Sequence, residues 1–382
     1  MVKIKLGDVI DFKNGKSIKK SDGNIPIYGG NGILGCTDKS NFSHTIVVGR
    51  VGAYCGSIHV EENLCWVSDN AIAGIPKEGQ DLTYLYYVLK SLNLNSKQIG
   101  SSQPLITQSM LKDMVVDVEI DNEKQKRIAK SILIIDQKIQ INNQINQELE
   151  AMAKTLYDYW FVQFDFPDQN GKPYKSSGGK MVYNPELKRE IPEGWGVDSL
   201  WNVANFYNGL AMQKYRPDTT EDDYLPVIKI REMMNGFSKD TEKARLDIPT
   251  EAVVERGDIL FSWSATLEVI IWGKERGALN QHIFKVTSDT YPKSFIYFEL
   301  KSYLKVFKAI AELRKTTMGH ITQDHLKQAK IVVPPIELIS KLDAKLQPIM
   351  LKQQILENQN QELTQLRDWL LPMLMNGQVK VE

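Results

Sequence analysis

The sequence predicts an α+β protein in which two similar globular α/β regions are joined by two long antiparallel helices that form a coiled coil. Three observations predict this architecture: short segments recur in the same order along the chain, a heptad pattern follows each set of repeats, and 382 residues are enough for more than one domain. An apolar fraction of 42% and a charged fraction of 25% are typical of a folded globular protein. The repeat further predicts an internal pseudo-two-fold relation within one chain.

Four pairs of short segments carry the internal repeat. In order along the chain they are LGDVIDFKNG (6–15) with LWNVANFYNG (200–209), TIVVGR (45–50) with DILFSW (258–263), YLYYVLKS (84–91) with FIYFELKS (295–302), and ITQSMLK (106–112) with ITQDHLK (321–327). The last pair is followed by NQINQEL in the first half and NQNQEL in the second. The period is far longer than that of a solenoid, so the repeat indicates duplication of whole domains.

A heptad seam predicts one long helix after each set of repeats. Apolar and amide residues follow one another at steps of four and three, which is the spacing of a coiled coil. The seam comprises Ile128, Ile132, Ile135, Ile139, Asn142, Asn146 and Leu149 in the first helix, and Leu342, Leu346, Ile349, Gln353, Leu356, Asn360 and Leu363 in the second. Helices of roughly 40 residues would be about 60 Å long and could not bury such stripes alone, so we expect the two to pack against each other.

The middle of each seam is interrupted by amide side chains. In the expected antiparallel register Asn142 meets Leu356, and Asn146 lies near Gln353. Buried amides in a seam cost stability and specify the register of the pair. The alternative is that these amides are solvated positions at the edge of the seam.

These patterns divide the chain into five parts. Residues 1–104 form a first globular region, 105–164 a first conserved region with its long helix, 165–194 a connector, 195–320 a second globular region, and 321–382 a second conserved region with its long helix. The connector is assigned from its content of glycine, proline, serine and lysine, which favours loops over core elements.

Charge and cysteine content limit the class of protein. Forty-seven basic and 47 acidic side chains give a net charge of zero, which removes the usual argument for DNA binding from a strongly basic chain but allows local basic faces. No apolar run is long enough to span a bilayer, and the N-terminus lacks the apolar segment of a signal peptide. Cys36, Cys55 and Cys65 make an odd count without a disulfide framework. We expect a cytoplasmic protein with reduced thiols and no membrane association.

Segments in the helices and the connector carry a more specific resemblance. They are EKQKRIAKSILIIDQKI (123–139), the block 160–196 with WFVQFDFP, GKPYKSSGG and EIPEGW, and VPPIE (333–337) with LLPMLMNGQV (370–379). In this order they resemble the helical, central and distal conserved segments of the specificity subunits of type I restriction–modification systems. The second helix departs from the family pattern, because Glu337 and the leucine after it stand where a Glu-Gln pair is usual.

The resemblance implies that this chain is one subunit of a larger complex and that the subunits have different functions. Residues 1–104 and 195–320 would be target-recognition domains, each reading one half of a split sequence in double-stranded DNA. The paired helices would set the spacing and dock two adenine methyltransferase (modification) subunits, and restriction (motor) subunits would join through this modification core. S-adenosylmethionine, ATP and Mg²⁺ would be bound by the partner subunits, and this chain would contain no cofactor.

Two motifs look like parts of a nucleotide-binding site or a metal site, but their spacing does not fit such sites. GKS at 15–17 would end a phosphate-binding loop only if position 10 were glycine, and it is Ile10. Cys55, His59 and Cys65 do not have the paired spacing of zinc ligands. We therefore expect no catalytic residue and no metal site in this chain.

Contacts with DNA phosphates require lysine and arginine, supported by hydroxyl side chains. Lys301, Lys305 and Lys308 share one face of a predicted helix, and a basic turn follows it. An ordinary solvated helix face is the alternative interpretation. The complete set of candidates for phosphate binding is Lys16, Lys19, Lys20, Lys97, Lys301, Lys305, Lys308, Arg314, Lys315, Thr316 and Thr317.

Base reading requires hydrogen-bond donors and acceptors, with aromatic side chains packed beside them. The candidates are polar or aromatic residues in loops that follow apolar runs, such as YGGNG (28–32). They are Tyr28, Asn31, Arg50 and Tyr54 in the first globular region, and Lys229, Arg231, Trp263, Gln281 and His282 in the second. Phosphate contacts outnumber base contacts in protein–DNA complexes, so about half of this set is expected to be structural.

Two other functions fit parts of the sequence. A two-domain coiled-coil adaptor that binds proteins rather than DNA would explain the helices and the repeat, but not the divergence of the globular regions. An enzyme with an unrecognised site would need a catalytic constellation that the sequence does not offer. Net neutrality suits a DNA-binding subunit whose partners supply positive charge, so we expect the isolated chain to bind DNA weakly and in a salt-sensitive way.

Overall fold

The computed structural model describes residues 1–96, 104–218, 223–313 and 319–379. The chain forms two compact units, one made of Met1–Gln140 with Gln361–Glu382 and the other of Ile141–Asn360. Each unit contains one globular region together with one end of each long helix. Among the described residues, no helix is long and apolar enough to cross a membrane.

The first unit begins with a strand and ends its globular region with the first long helix. Its elements are β1 (Val2–Lys5), α1 (Leu6–Val9), β2 (Ile10–Asn14), β3 (Ile25–Gly29), β4 (Gly32–Thr37), β5 (Phe42–Gly49), β6 (Ile58–Val67), β7 (Ala71–Pro76), α2 (Leu82–Ser91), α3 (Gln108–Asp113), β8 (Val115–Val118) and the start of α4 (Asn122–Tyr157). Six strands form one sheet in the order β2-β7-β5-β6-β3-β4, in which only the β3–β6 pairing is parallel. β1 and β8 form a separate antiparallel pair.

The core of the first unit lies between this sheet and α2. The run Ile46–Val48 of β5 is fully buried in the centre of the sheet, as its continuous apolar sequence requires. Helix α2 begins at Asp81, whose side chain accepts a hydrogen bond from the backbone N–H of Tyr84. Ile128 and Ile132 of α4 and Leu374 of the second long helix pack into the same core.

The second unit repeats this order with an insertion. Its elements are β9 (Met181–Asn184), β10 (Arg189–Pro192), β11 (Gly196–Ser199), α5 (Leu200–Val203), β12 (Asn205–Asn208), β13 (Leu225–Ile228), α6 (Ile230–Asn235), β14 (Lys243–Ala244), β15 (Val253–Val254), β16 (Ile259–Ser262), β17 (Glu268–Ile271), β18 (Gly277–Leu279), β19 (Ile283–Thr287), α7 (Lys293–Leu313), α8 (Gln323–Gln328), β20 (Lys330–Val333) and α9 (Ile336–Met375), whose last part belongs to the first unit. A π-helical turn, Asp158–Val162, continues α4.

The strand orders of the two units confirm the predicted fold class and its internal repeat. The sheet β12-β19-β16-β17 has the order of β2-β7-β5-β6, and the antiparallel pair β11-β20 corresponds to β1-β8. The first unit adds the β3-β4 hairpin to this shared sheet, whereas the second inserts a separate sheet of order β14-β13-β18-β15. The duplicated part is therefore a four-stranded sheet with its flanking helices, and each copy has its own addition.

The element boundaries differ from the predicted ones in two places. Because β1 pairs with β8, the first globular region extends past residue 104 into the part assigned to the conserved region. Within the segment 165–194, expected to be a connector, residues 181–192 form the antiparallel β9-β10 hairpin. Phe166 stacks on both Tyr174 and Trp195 there, so aromatic packing orders a segment whose composition favours loops.

The long helices run antiparallel, with every predicted seam position buried or half-buried. Asn142 is fully buried, and its side-chain amide donates to Oδ1 of Asn360 at 2.9 Å. This hydrogen bond lies one helical turn beyond Leu356, the residue expected opposite Asn142. The amide of Gln353 donates to the backbone carbonyl of Asn146 at 3.3 Å, which is the proximity that the seam pattern predicts.

Amides form a polar layer in the part of the helix pair that belongs to the second unit. Asn360 also donates to Oδ1 of Asn143 at 2.8 Å, so three asparagines are linked across the two helices. Side-chain carbonyl oxygens of Asn142, Asn146 and Asn358 are buried without a hydrogen-bond donor from any residue that the structure describes. Such groups cost stability, which indicates that the layer serves the register of the pair and not its strength.

In each unit a carboxylate of α4 connects a tyrosine of the globular region to α9. In the first unit Asp136 accepts from the hydroxyl of Tyr87 at 2.8 Å and from the guanidinium of Arg367 at 3.0 Å. In the second unit Glu150 accepts from the hydroxyl of Tyr297 at 2.8 Å and from the amide of Gln353 at 3.2 Å. These contacts fix each globular region to the helix ends within its own unit.

A buried carboxyl in the second unit makes stability depend on pH. Burial raises the pKa of Glu299 to about 7, although the hydroxyl of Tyr157, which donates to it at 2.6 Å, and the charge of Arg189 oppose the shift. The unfolded chain releases this proton near pH 4.5, so the carboxyl lowers stability progressively between pH 4.5 and 7 and by a constant amount above.

Glu299→Gln is expected to stabilise the protein at pH 8 but not at pH 4. The glutamine retains an acceptor for Tyr157 and removes the ionised form, so we expect a gain of about 2 kcal/mol at pH 8. Thermal unfolding of both chains between pH 4 and 8 measures the difference. A gain that is equal at all pH values would contradict the titration of this carboxyl.

Candidate nucleic-acid interface

The same three main-chain hydrogen bonds recur in the two globular regions. In the first region they run from Gly15 N to Ala71 O (3.1 Å), from Arg50 N to Asn70 O (2.9 Å) and from Ile106 N to Arg50 O (2.9 Å). The corresponding bonds of the second region run from Gly209 N to Ile283 O (3.0 Å), from Trp263 N to His282 O (3.1 Å) and from Ile321 N to Trp263 O (2.8 Å). Isolated bridges, Val51 with Leu105 and Ser264 with His320, also correspond. Each set brings together the ends of equivalent strands and the segment that precedes α3 or α8.

We call these two places loop cluster 1 and loop cluster 2. Loop cluster 1 comprises residues 14–16, 50–54, 68–71 and 104–112, and loop cluster 2 comprises 208–211, 263–266, 280–282 and 320–327. The glycine that ends the first repeat segment is needed in both. A Cβ on Gly15 would lie 2.0 Å from the carbonyl oxygen of Ser68, and a Cβ on Gly209 would lie 2.1 Å from that of Asn280. Only glycine allows these close backbone approaches.

In loop cluster 1, Arg50 and Lys112 line one polar cavity. Its volume is about 400 Å³, and its other lining residues are Asn14, Thr107, Gln108 and Ser109. Tyr54, a predicted base reader, is exposed nearby, with the 29–32 loop packed beside it. Asn31 is exposed at the tip of that loop.

Tyr28, the remaining base-reading candidate of the first region, lies inside the sheet. Its ring is buried, and its hydroxyl donates to Glu61 at 3.1 Å. Burial, with the neighbouring carboxylate of Glu61, raises the pKa of this hydroxyl. The side chain of Tyr28 supports the loop that carries Asn31 and does not face outward.

The lysines that follow β2 are exposed. Lys16, Lys19 and Lys20 have no carboxylate partner within the described parts of the chain, and the indole of Trp66 fixes their segment by donating to the carbonyl of Lys16 at 2.6 Å. Lys97 lies outside the described residues.

In loop cluster 2, aromatic side chains occupy the place that Arg50 has in loop cluster 1. The indole of Trp263 donates to Oδ1 of Asn208 at 2.9 Å, and its ring centroid lies 5.1 Å from that of His282. His282 is exposed and has a left-handed backbone, φ 81°, which turns it outward from the strand. Gln281 is half-buried beside it, and its backbone N–H donates to the carbonyl of Leu210 at 2.8 Å.

Lys229 follows β13 of the inserted sheet, and Arg231 lies on α6. The ammonium of Lys229 pairs with Glu242 at 2.5 Å, and the guanidinium of Arg231 pairs with the buried Glu232 at 2.6 Å. Both cations are thus engaged with carboxylates of their own region. The carbonyl of Ile228, the residue before Lys229, accepts a hydrogen bond from the N–H of Asn280 at 3.1 Å, so Lys229 lies beside loop cluster 2 while Glu242 holds its ammonium.

The basic face predicted on α7 is partly neutralised. Lys301 and Lys308 both contact the carboxylate of Glu268, at 3.0 and 3.3 Å. Burial would raise the pKa of Glu268, but the hydrogen bond and charge of Lys301, helped by Lys308, outweigh burial and lower it. Only Lys305 of the three is exposed without a carboxylate partner in the described chain. The remaining phosphate candidates, Arg314, Lys315, Thr316 and Thr317, lie outside the described residues.

The second unit also exposes apolar side chains on its part of the helix pair. On α4 Ile141, Ile145 and Met152 share one face and are 49%, 36% and 52% exposed. On α9 Leu351 and Ile355 are exposed one turn apart. Apolar side chains exposed on one face of a long helix are typical of interaction surfaces.

A groove of about 990 Å³ lies beside Leu351 in the second unit, between α9, the end of β17 and the start of α7. Aromatic and aliphatic side chains share its lining with the carboxylates of Glu150, Asp343 and Glu357. Burial raises the pKa of Glu357, which Lys274 and Arg256 oppose. The groove is therefore apolar and acidic. Within the described ranges, no group of three or more His, Cys, Asp or Glu side chains has the arrangement of a metal site.

Comparison with known proteins decides the family. A family model described as the type I restriction modification DNA specificity domain matches residues 1–151 and 192–365, one match on each repeat. The chain belongs to this family. This chain is similar to the specificity subunit of the type I restriction enzyme MjaIX from Methanocaldococcus jannaschii. The two are 28% identical over 324 residues, which cover 81% of this chain and 71% of that one.

One further relative and one solved structure are also similar to this chain. The HindI specificity subunit of Haemophilus influenzae is 25% identical over 332 residues, which cover 72% of this chain and 71% of that one. The S subunit from M. genitalium, known from a crystal structure, has a TM-score of 0.60 and 17% identity over 98% of this specificity subunit and 96% of that chain. The last comparison shows a shared fold.

Several residues of this specificity subunit enter the loop clusters without having been candidates. Asn14, Asn70, Gln108 and Lys112 in the first region are the clearest. Asn14, Gln108 and Lys112 have identical counterparts in the second repeat, Asn208, Gln323 and Lys327. That identity within one chain was the signal in the sequence that could have found them.

Proposed function

We propose that this chain reads a bipartite sequence in double-stranded DNA, one half with each globular region. The observation that carries the proposal is the repeated frame of main-chain hydrogen bonds, on which loop clusters 1 and 2 present different side chains. One backbone arrangement with different donors and acceptors suits two related readers with different targets. Arg50 in the first cluster and Trp263, its counterpart in the second, are the side chains that differ most in chemistry.

The helix pair would dock the subunits that act on the DNA. Its exposed apolar side chains, Ile141, Ile145 and Met152 among them, need a partner to cover them. We propose that adenine methyltransferase subunits, two per chain, bind along this pair, and that restriction subunits join through them. The amide layer would then keep one register of the helices and hence one spacing of the two readers.

The chemistry would belong to the partners. In this proposal S-adenosylmethionine is bound by the methyltransferase subunits, and ATP and Mg²⁺ by the restriction subunits, while this chain contributes recognition alone. The proposal is supported by the names of the similar proteins, which are specificity subunits of restriction enzymes.

Exchange of one reader tests the proposal. Residues 195–320 are replaced by the corresponding region of another specificity subunit, and the adenine methylation of host DNA is profiled with the original chain, with the exchanged chain and with neither. We expect one half of the methylated motif to change and the other half to remain. A change in both halves would contradict the two-reader model, and co-purification of a methyltransferase without any altered methylation would favour the adaptor function.

A further inference from the structure

We propose that loop cluster 1 contains a phosphate-binding site formed by Arg50 and Lys112, and that loop cluster 2 lacks this site. The inference rests on the proposed function of binding DNA and gives the two readers different ways of holding the duplex. The ligand would be a phosphodiester group of the DNA backbone.

The first argument is the charge of the cavity. Arg50 and Lys112 line it, and its other lining side chains, Asn14, Thr107, Gln108 and Ser109, are neutral. Asp113, the acid next to Lys112, is paired with Lys5 at 3.0 Å. Neither cation of the cavity has a carboxylate partner among the residues that the structure describes, so two positive charges remain for an anion.

The second argument is that the side chain of Arg50 has a buried donor without an acceptor. Its backbone is held on both sides, because its N–H donates to Asn70 and its carbonyl accepts from the N–H of Ile106 and from the thiol of Cys55. The side-chain Nε is nevertheless buried without a hydrogen-bond acceptor in the described chain. A buried donor on a charged group is costly unless a ligand supplies the acceptor, and phosphate oxygens match the planar fork of a guanidinium.

The third argument is the comparison with the other repeat. Asn14, Thr107, Gln108 and Lys112 have identical counterparts in loop cluster 2, whereas Arg50 and Ser109 correspond to Trp263 and Asp324. These two differences remove one positive charge and add one negative charge.

The counterparts in loop cluster 2 are also engaged differently. Trp263 uses its indole N–H on Asn208, and the ammonium of Lys327 lies 5.8 Å from the ring centroid of Trp201. The frame is thus retained while the capacity to bind an anion is confined to loop cluster 1.

The experiment measures DNA binding by the complex of this chain with its methyltransferase partner as a function of salt. Arg50→Gln and Lys112→Gln are compared with the matched variant Lys327→Gln, on target DNA and on unrelated DNA. We expect each of the first two to weaken binding to both DNAs by about tenfold and to reduce the salt slope by about 1. Lys327→Gln should leave the slope unchanged.

The outcomes separate this inference from the proposed function. No DNA binding by the unaltered complex would contradict the proposed function itself. Binding with an unchanged slope in both Arg50→Gln and Lys112→Gln overturns the phosphate site, as does a loss confined to the target sequence, which would make Arg50 a base reader. Equal loss of slope in Lys327→Gln would overturn the difference between the clusters.

Two further measurements test whether a variant is misfolded and whether the site binds free phosphate. Thermal unfolding identifies a variant that fails to fold, and Arg50→Lys should then keep most of the salt slope because the charge remains. The unaltered chain is also heated in inorganic phosphate and in chloride of equal ionic strength. Stabilisation by phosphate that Arg50→Gln abolishes, without any effect of that variant on DNA binding, would assign the site to free phosphate and overturn its role in holding DNA.

Discussion

Replacing Ile141 and Ile145 by aspartate is expected to abolish capture of the methyltransferase partner while leaving this chain folded. Both side chains are partly exposed, so the charges are solvated in the free chain and cost it little. In an interface they would be desolvated without partners, which costs several kcal/mol and corresponds to a loss of affinity of at least about 100-fold. Co-purification of the two proteins, followed by titration, measures the loss.

The same helix offers a matched control. Gln147 and Ala151 are exposed, are four residues apart like Ile141 and Ile145, and lie on a different side of α4. Gln147→Asp with Ala151→Asp introduces the same two charges and should retain the partner. Capture that survives in the isoleucine variant, with both variants folded by circular dichroism, would show that the partner does not use the apolar face.

Removal of the carboxylate of Asp136 is expected to destabilise the protein by about 3 kcal/mol. Asp136→Ala removes the acceptor of the Tyr87 hydroxyl. It also removes the less exposed of the two carboxylates that contact Arg367. Breaking such a half-buried network leaves polar groups desolvated and unpaired, which costs more than the loss of a surface ion pair. Denaturation in urea gives the change in the free energy of unfolding.

Asp368 supplies the control for this measurement, because its carboxylate also contacts Arg367, at 2.8 Å. Its side chain is 62% exposed, against 23% for Asp136. Asp368→Ala should therefore change the free energy of unfolding by less than about 0.5 kcal/mol. Equal effects of the two substitutions would mean that burial does not decide the strength of these contacts.

The parts of the fold that the sequence could predict are those that leave a periodic or repeated signal. The heptad seams gave the long helices, because burial of one stripe requires regular spacing, and the four segment pairs gave the duplicated sheet. The inserted sheet β14-β13-β18-β15 could not be predicted, since it consists of very short strands that pair across distant parts of the chain. The β9-β10 hairpin could not be predicted, since its Met181 and Ile191 pack in one apolar cluster with Trp195, which the loop-like composition does not record.

The candidate site was less predictable, because it depends on which charges meet. The spacing of Lys301, Lys305 and Lys308 predicted one helix face but could not reveal that Glu268 lies against it. Lys229 and Arg231 follow an apolar run as expected, yet acids of their own region hold them. The pairings of Glu268 with Lys301 and Lys308 span 33 and 40 residues of sequence, so no local pattern records them, whereas Glu232 is adjacent to Arg231.

The repeated frame of main-chain hydrogen bonds bears on how new specificities could arise. Its donors and acceptors are backbone groups, so residues 50 and 70 can change identity while the loops keep their course. Selection can therefore diversify these positions in one reader without unfolding it and without altering the other. The two glycines of the frame, Gly15 and Gly209, are the exception, because there any side chain would strike the neighbouring backbone. In a chain built in this way the backbone hydrogen bonds fix the fold of the loops, and mutation of the side chains they carry can change the target.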